Sequence, residues 1–411
     1  MLRPAGSHTD RMKHMEVFTG KGTAMTGDRF PSEIKTYTDR KSGLRIKQLT
    51  DRHVNFHMYF TDNSFDGDSG SIYFFSDRCN GRGIYNLFHM DLDTGVMTQV
   101  TDEPEGVWLS TATKTRDSWY LVYWSGCRLK VMDTVEKTVK TVYEDHDMLV
   151  QNFSVSSDRK RIGFIRNEDV GAGQDGGPNY SGFKDKMYAI KDSRISVVNM
   201  DGTGFHDVWR DTNWLSHFQF SPDDPSLAMF CHEGPWNCVN QRIWLINMDS
   251  GDVWPCFRQG EEDCVGHEFW TKDGMIVFDN RGAGHDGTIS SDRTQVFTPP
   301  SPGSRQPYFG IADKTGQVQR TVPMPFYCNH YMASPVKDEF VGDGTDDIVL
   351  IRMGTDGKPC LRVLANHNTT WLYQHSHCHP TFSWDGRKIL YAADTDEGHC
   401  NQFLIEDWEQ E

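Results

Sequence analysis

One short phrase recurs seven times along the chain, and this repeat limits the possible folds more than any other feature. Each copy has aromatic or apolar residues, a Ser or Thr, a turn with Asp and then a β-rich run. The aligned hydroxyl residues are Thr61, Thr115, Ser156, Ser221, Thr271, Ser334 and Ser383. Most copies are followed by a strand, a turn and another strand, so each unit supplies about four short antiparallel strands.

Four strands per unit is the content of one propeller blade, so seven units predict an all-β, seven-bladed β-propeller. The last copy ends with QFLIEDW, one strand short of a blade, while TYTDRKSGLRIKQLT near the N-terminus is a spare hairpin-like segment. We therefore expect the N-terminal strand to close the last blade and remove a free sheet edge. Two packed β-sandwiches are the alternative, which seven copies in phase make less favourable. We expect a flexible leader over residues 1–30 and a single catalytic propeller domain over residues 31–411.

Charge and composition exclude several kinds of partner. The 411 residues include 42 Lys and Arg against 58 Asp and Glu, a formal charge of −16 that argues against nucleic-acid binding. No stretch approaches the roughly 20 apolar residues that a membrane helix needs, and we expect no membrane partner. The ten cysteines form no C-x-x-C pair, which is typical of reduced thiols and predicts a cytoplasmic location. The sequence does not predict an oligomeric state.

The position four residues before each aligned hydroxyl is polar in every copy and is histidine in five of them. These residues are His57, Thr111, Asn152, His217, His267, His330 and His379. A packing position would favour Val, Ile or Leu instead. Because equivalent residues of the repeats form a ring about the propeller axis, we expect these side chains to converge on one pocket.

The seventh copy is the richest in imidazoles, with the run Tyr373-Gln374-His375-Ser376-His377-Cys378-His379. Alternation along a strand would place His375, His377 and His379 on one face. Two of them, with one histidine from a neighbouring blade, form a candidate site for a first-row divalent metal. A ladder of hydrogen-bonded histidines that caps a water-filled channel is the alternative.

Four motifs carry a resemblance to a known family. They are CHEGPWNCVNQRIWLIN (Cys231–Asn247), CVGHEFW (Cys264–Trp270), CNHYMAS with VGDGTDD (Cys328–Asp347), and HNTTW with QHSHCHPTFSWD (His367–Asp385). In this order they resemble the oligogalacturonate lyases, which are seven-bladed propeller enzymes that act on pectin fragments. The resemblance is dense from about Leu215 to the C-terminus and thins over the first 200 residues.

The resemblance implies a divalent metal, manganese above all, that is held by Gln374, His330, His377 and His379. It implies His267 of the HEFW motif as the catalytic base, and it matches Arg242 to an arginine that faces the substrate. His217, His232 and His53 are further candidates for binding substrate. The implied reaction is β-elimination on short uronate oligosaccharides, most of all oligogalacturonate, to give unsaturated products.

Two alternatives stay open: a lyase for a glucuronate- or rhamnogalacturonan-type oligosaccharide, and a non-catalytic propeller that binds glycans or proteins. Strand parity predicts that the Cys378 thiol points away from the metal and is buried. The segments Arg281–Gln306 and Asp169–Lys186, rich in small residues, are expected to border the cleft and to influence the choice of substrate.

Overall fold

The seven repeats form seven antiparallel sheets in this computed structural model, which describes residues 25–171, 182–236, 238–281, 306–394 and 399–409. Their strands are short and rich in β-branched and aromatic residues, which suit a pleated, packed surface. The first strands of neighbouring sheets contact one another around the axis. The predicted all-β, seven-bladed β-propeller is therefore confirmed.

Each blade extends outward from a strand that lines the axis. From the axis outward, blade 1 contains β4 (Asn55–His57), β5 (Ser71–Ser76), β6 (Asn86–Asp91), β7 (Met97–Gln99) and β1 (Arg29–Phe30). Blade 2 contains β8 (Ala112–Lys114), β9 (Tyr120–Ser125), β10 (Arg128–Asp133) and β11 (Thr138–Glu144). Blade 3 contains β12 (Met148–Val155), β13 (Arg161–Glu168), β14 (Ser193–Asn199) and β15 (His206–Asp211).

Blades 4 to 6 follow the same order. Blade 4 contains β16 (Leu215–Phe220), β17 (Leu227–His232), β18 (Ile243–Asn247) and β19 (Val253–Pro255). Blade 5 contains β20 (Val265–Trp270), β21 (Ile276–Asn280), β22 (Tyr308–Ala312) and β23 (Val318–Pro323). Blade 6 contains β24 (Tyr331–Ala333), β25 (Glu339–Asp343), β26 (Asp347–Met353) and β27 (Pro359–Asn366). One described α-helix, α1 (Phe183–Ala189), lies in the connection between β13 and β14.

The seventh blade joins the two ends of the chain. Its inner strands are β28 (Thr381–Phe382), β29 (Lys388–Asp394) and β30 (Cys400–Glu406), and β3 (Arg45–Gln48) and β2 (Lys35–Thr38) complete it. β3 pairs antiparallel with β30, and Ile46 lies opposite Ile405. The predicted closure by the N-terminal strand is confirmed, and because the segment is a true hairpin it adds β2 as a fifth strand.

The apolar core lies between blades rather than at one centre. Seven clusters of buried residues fall among the described parts of the chain, one at each junction of successive blades. At the junction of blades 7 and 1, for example, Phe74 and Phe88 pack with Leu390 and Leu404. Each sheet is therefore covered on both faces, and the axis is left to polar side chains.

Every loop that precedes an inner strand opens on the same face of the propeller, because the strands of each blade alternate in direction. This face carries the histidine positions of the repeat and the connection that contains α1. No helix in the described ranges is long and apolar enough to cross a membrane.

Candidate functional site

A β-bulge displaces the repeated polar position in three consecutive blades. The pairing of the inner strand with its neighbour shifts at Gln151/Ser154, Ser216/Gln219 and Val265/Glu268. Asn152 and His217 adopt φ angles of 55° and 54°, a left-handed conformation that non-glycine residues rarely take. Such strain persists where the surrounding fold imposes it, and it commonly marks functional positions. The ring centroids of His217 and His267 consequently lie 6.1 Å apart at the same end of the channel.

Three of the predicted metal ligands come together in space. His330 directly precedes β24, while His377 and His379 lie between a 3-10 helix (Gln374–Ser376) and β28. One ring nitrogen from each histidine lies within 4.8 Å of the others, and all three residues are buried. The His330 centroid is 4.2 Å from that of His379 and 5.5 Å from that of His377.

Phe60 forms the floor beneath these imidazoles. A 3-10 helix (Phe60–Asp62) carries this fully buried ring from blade 1 to the axis. It stacks on His379 at 5.9 Å with an interplanar angle of 17°, and it contacts His330 at 5.3 Å and His267 at 6.4 Å. An apolar floor fixes the ring planes and keeps water away from the buried side of the cluster.

The chemistry of the three histidines fits a divalent metal. The Nε2 atom of His379 is buried and has no hydrogen-bond partner among the described residues, which is costly unless another group satisfies it. Burial, with help from the neighbouring imidazoles, lowers the pKa of His330 and His379 well below the usual histidine range and that of His377 to about 3. These rings therefore stay neutral, the state in which imidazole binds metal. The Nδ1 atom of His330 lies 2.7 Å from Asp343 Oδ2, a carboxylate partner of the kind that orients metal-binding histidines.

The run Tyr373–His379 is not the strand that alternation predicted, and this interpretation was wrong. The amide of Tyr373 donates to Ser376 Oγ at 3.1 Å and Ser376 Oγ donates to the Tyr373 carbonyl at 2.8 Å, which closes a 3-10 turn. His375 consequently stacks on Tyr373 at 5.4 Å. Gln374 is exposed, and its carbonyl accepts a hydrogen bond from the amide of His377 at 3.3 Å. Its role as a metal ligand stays a prediction.

His267 lies beside the three-histidine cluster, with its ring centroid 4.4 Å from that of His330. Its Nδ1 atom is buried, has no hydrogen-bond partner in the part of the chain that the structure describes, and lies 3.9 Å from Asp279 Oδ2. The backbone amides of Gly266 and His267 both donate to Asp279 Oδ1. A Cβ on Gly266 would lie 3.0 Å from Asp279 Oδ2, so glycine allows the carboxylate to approach the bulge. Asp279 therefore fixes the backbone that presents His267.

Arg242 is buried and bonded to two carboxylates. Its Nη1 donates to Glu233 Oε1 at 2.8 Å and its Nε donates to Glu268 Oε2 at 2.9 Å. His217 lies on the other side of both acids, with Nε2 3.4 Å from Glu233 Oε2 and Nδ1 3.2 Å from Glu268 Oε1. Although burial opposes it, the positive charge of Arg242 followed by that of His217 lowers the pKa of Glu268 to about 2. Both acids are therefore carboxylates at neutral pH.

The polar partners of three further histidines lie outside the three-histidine cluster. The Nε2 atom of His232 is 3.1 Å from Asp211 Oδ2 and its ring stacks against Trp244. His53 has 42% of its side chain exposed and lies 3.7 Å from Asp77. His57 is buried between the carbonyl oxygens of Met58 and Cys378, at 2.6 and 3.1 Å, and so supports the segment that carries two of the cluster histidines.

Cys378 belongs to the apolar cluster between blades 6 and 7 and is fully buried, as expected, although it does not lie in a strand. Of the two segments expected to border the cleft, residues 172–181 and 282–305 lie outside the described parts of the chain, as do leader residues 1–24. Arg29 and Phe30, at the end of the expected leader, form β1 on the outer edge of blade 1.

The acidic partners of the histidines were not identified from the sequence. They are Asp279, Asp343, Glu233 and Glu268, and the first three lie within one residue of the end of the second strand of their blade. An acidic residue also lies within one residue of that strand end in blades 1, 3 and 7, as Asp77, Glu168 and Asp394. This second repeated position was the signal that could have revealed them.

Fold and site together define a seven-bladed β-propeller with a buried three-histidine centre suited to a first-row divalent metal. The chain belongs to the oligogalacturonate lyase family, whose model matches residues 24–407.

Curated relatives and a solved structure agree with this membership. The chain is 25% identical to an oligogalacturonide lyase of Pectobacterium atrosepticum over 396 residues, which covers 90% of this chain and 95% of that protein. It is also 25% identical to an oligogalacturonate lyase of Dickeya dadantii over 399 residues, with the same coverage. A solved oligogalacturonate lyase in complex with manganese matches with a TM-score of 0.78 and 25% identity, covering 93% of this chain and 98% of that one.

Proposed function

We propose that this protein is a lyase that cleaves short oligogalacturonates by metal-assisted β-elimination. The single observation that carries the proposal is the neutral, buried cluster of His330, His377 and His379, in which His379 Nε2 has no hydrogen-bond partner among the described residues and the His330 ring lies beside His267. Family membership and relatives that are named for this activity support the choice of substrate. The expected partner is an acidic oligosaccharide, and a cytoplasmic location stays a prediction.

His330, His377 and His379, with Gln374, would hold the metal, and manganese is favoured because a similar solved lyase is a manganese complex. When bound there, a divalent ion neutralises a carboxylate and acts as a Lewis acid toward it. Asp343 orients the His330 ring, so the donor set is prepared before a ligand arrives.

His267 is the proposed base that removes the proton at C5 of the uronate. A base must be neutral and within hydrogen-bond reach of the proton it takes. Part of the His267 side chain is exposed at the cleft, while Asp279 holds the bulge from which the ring projects. The C5 proton is weakly acidic because charge develops next to a carboxylate, so a fixed base and a neutralised carboxylate are both required.

Arg242 acts in this proposal through Glu268 and Glu233, which accept hydrogen bonds from its Nε and Nη1 atoms. Direct contact with substrate stays a prediction for Arg242, and so does substrate binding by His217, His232 and His53. Of these three histidines, His217 lies nearest to His267, with 6.1 Å between the ring centroids.

A panel of uronate oligosaccharides tests the function. Digalacturonate, a glucuronate oligomer and a rhamnogalacturonan fragment are each incubated with manganese-loaded protein, and the unsaturated product is followed by its near-ultraviolet absorbance. We expect a signal with digalacturonate that chelation abolishes and that His267→Gln removes without loss of bound metal. A signal only with another uronate would change the substrate. No signal on the whole panel with no metal by elemental analysis would favour a binding propeller instead.

A further inference from the structure

His217 and His267 occupy the same repeat position in neighbouring blades, and both project from a β-bulge. Their side chains are 13% and 12% exposed, so both reach the cleft. Two imidazoles that face one ligand from adjacent blades are the arrangement that a reaction with two proton transfers needs. β-Elimination is such a reaction, because one proton leaves carbon and another must reach the departing oxygen.

The charges around the two rings differ. His217 lies between Glu233 and Glu268, each of which gives one oxygen to Arg242 and turns the other toward His217. Two buried carboxylates and one guanidinium leave one negative charge uncompensated, and an imidazolium at His217 neutralises it. Tyr59 contacts the ring edge at 5.6 Å, and the Cys231 thiol lies 3.9 Å from Glu233 Oε2. Neither neighbour adds a positive charge.

His267 lacks this pair of carboxylates. Its one acidic neighbour among the described residues, Asp279, is 3.9 Å away and already accepts hydrogen bonds from two backbone amides and from the hydroxyl of Tyr327. Different surroundings that separate the proton affinities of two titratable groups are the usual basis for distinguishing an acid from a base. The two rings therefore differ in the carboxylates that face them, two at His217 and one, already hydrogen-bonded, at His267.

We infer that His217 is the general acid that protonates the leaving-group oxygen at C4, an assignment that rests on the proposed β-elimination. His267 takes the C5 proton, and the electrons of that C–H bond form the double bond between C4 and C5. The C4–O4 bond breaks, its electron pair stays on O4, and O4 receives the proton from His217. One saccharide bond becomes a free hydroxyl and an unsaturated uronate, and no water is consumed.

The Nδ1 atom of His217 is buried against Glu268, so we assign the donated proton to Nε2, which lies 3.4 Å from Glu233 Oε2. Glu233 lies at that nitrogen and Glu268 at the other, and both are positioning residues that keep the ring charged. Arg242 in turn holds the two carboxylates apart and in place. In this assignment the charges of Glu233 and Glu268 are balanced by Arg242 and His217, which explains why two acids can lie beside a site for an anionic sugar.

A change of leaving group distinguishes general acid catalysis by His217 from a purely structural role of this residue. We compare digalacturonate with a galacturonide that carries fluoride at C4, since fluoride departs with far less need for a proton. His217→Asn should lose about 10²–10⁴-fold on digalacturonate, the usual contribution of general acid catalysis, and should keep most of its fluoride release. His267→Gln should lose both activities. The exposed surface histidine variant His206→Gln serves as the matched control and should lose neither.

Exchange at C5 gives a second readout in deuterium oxide. With His217→Asn, recovered digalacturonate should contain deuterium at C5 although it is not cleaved, and bound manganese should be unchanged. Equal loss on both substrates without exchange, or cleavage as fast as that of the parent protein, would overturn the assignment. The assignment would also be overturned if Tyr59→Phe, and not His217→Asn, lost cleavage of digalacturonate while it kept fluoride release and exchange at C5. A parent protein that cleaves no uronate at all would instead defeat the proposed function.

A milder variant covers the case in which His217→Asn does not fold. Glu233→Gln keeps the shape of the side chain but removes one of the charges that hold the proton on His217. Because the acid must be protonated, the alkaline limb of kcat/KM should move to lower pH while the acidic limb stays. An unmoved alkaline limb in a folded, metal-loaded variant counts against the acid.

Discussion

The Nδ1 atom of His330 lies 2.7 Å from Asp343 Oδ2, and neither side chain is exposed to solvent. The backbone amide of His330 also donates to the other carboxylate oxygen, at 2.6 Å. One acid therefore fixes both the ring and the backbone of a proposed metal ligand.

Asp343→Asn should weaken manganese binding by about 10–100-fold, the usual effect of removing such a partner, because the amide cannot enforce the ring tautomer. Titration calorimetry on the chelated protein measures the change. Asp211→Asn removes a comparable partner from His232, outside the cluster, and should leave the manganese affinity unchanged. Equal affinities for the Asp343 variant and the parent would contradict a role in metal binding.

His377→Ala should remove the bound metal while the propeller stays folded. The side chain is buried, but it lies at the channel and outside the apolar clusters between blades. Elemental analysis and the far-ultraviolet circular dichroism of the same sample check both parts. His53→Ala, which truncates an exposed histidine of the same face, should retain the full metal content. Metal retained by His377→Ala would exclude this residue as a ligand.

Substitution of Cys378 distinguishes a contribution to the stability of the fold from a role in metal binding. Cys378→Ser places a hydroxyl in the apolar cluster and should lower the free energy of unfolding by about 1–3 kcal/mol, the cost of a buried polar group without a partner. Cys378→Ala should cost less. Urea unfolding measures stability, and manganese content should equal that of the parent in both variants. Loss of metal from both would mean that the thiol is a ligand.

The charge on Glu268 should make stability depend on acid pH. Its pKa falls to about 2 in the folded protein from a usual value of about 4.5. The carboxylate therefore stabilises the fold fully above about pH 4.5, and this contribution, about 3 kcal/mol, is lost as the pH falls toward 2. The stability difference between the parent and Glu268→Gln should shrink across that range in urea unfolding. A difference that is constant with pH would contradict the ion pair with Arg242.

Ile46 tests the closure of the ring. The side chain is fully buried opposite Ile405, between blades 6 and 7. Ile46→Ala should reduce the free energy of unfolding by about 2–5 kcal/mol, as for other large-to-small core substitutions. Val135→Ala, at an exposed turn, is the matched control and should have almost no effect. Similar stability for the two variants would mean that the N-terminal strand contributes little to the ring.

The blades were predictable because seven copies share one period, and the gap at the end of the last copy indicated the closure. The ring of histidines followed from the same period. His330 and His379 are brought to 4.2 Å by the geometry of the ring, although they are far apart in sequence. Their common position within the repeat was enough to identify these two histidines as part of the site.

The local conformations were not predictable in the same way. No glycine marks the left-handed residues His217 and His379, since the surrounding sheet imposes those angles. The turn closed by Ser376 turned His375 away, although alternation placed it with His377. The ion pairs of Arg242 join blade 4 to blade 5 through Glu268, and a partner that belongs to another blade leaves no trace in the spacing of a single sequence.

The strand that closes the ring is made early and used late. β3 leaves the ribosome long before β30 exists, and nothing else offers it the edge on which Ile46 is covered. During synthesis β3 can pair with β2, but its other edge stays open until β30 is made, and a neighbouring chain that presents its own β30 could pair with that edge. Exchange of the closing strand β3 between two nascent chains is therefore the characteristic misassembly of this architecture.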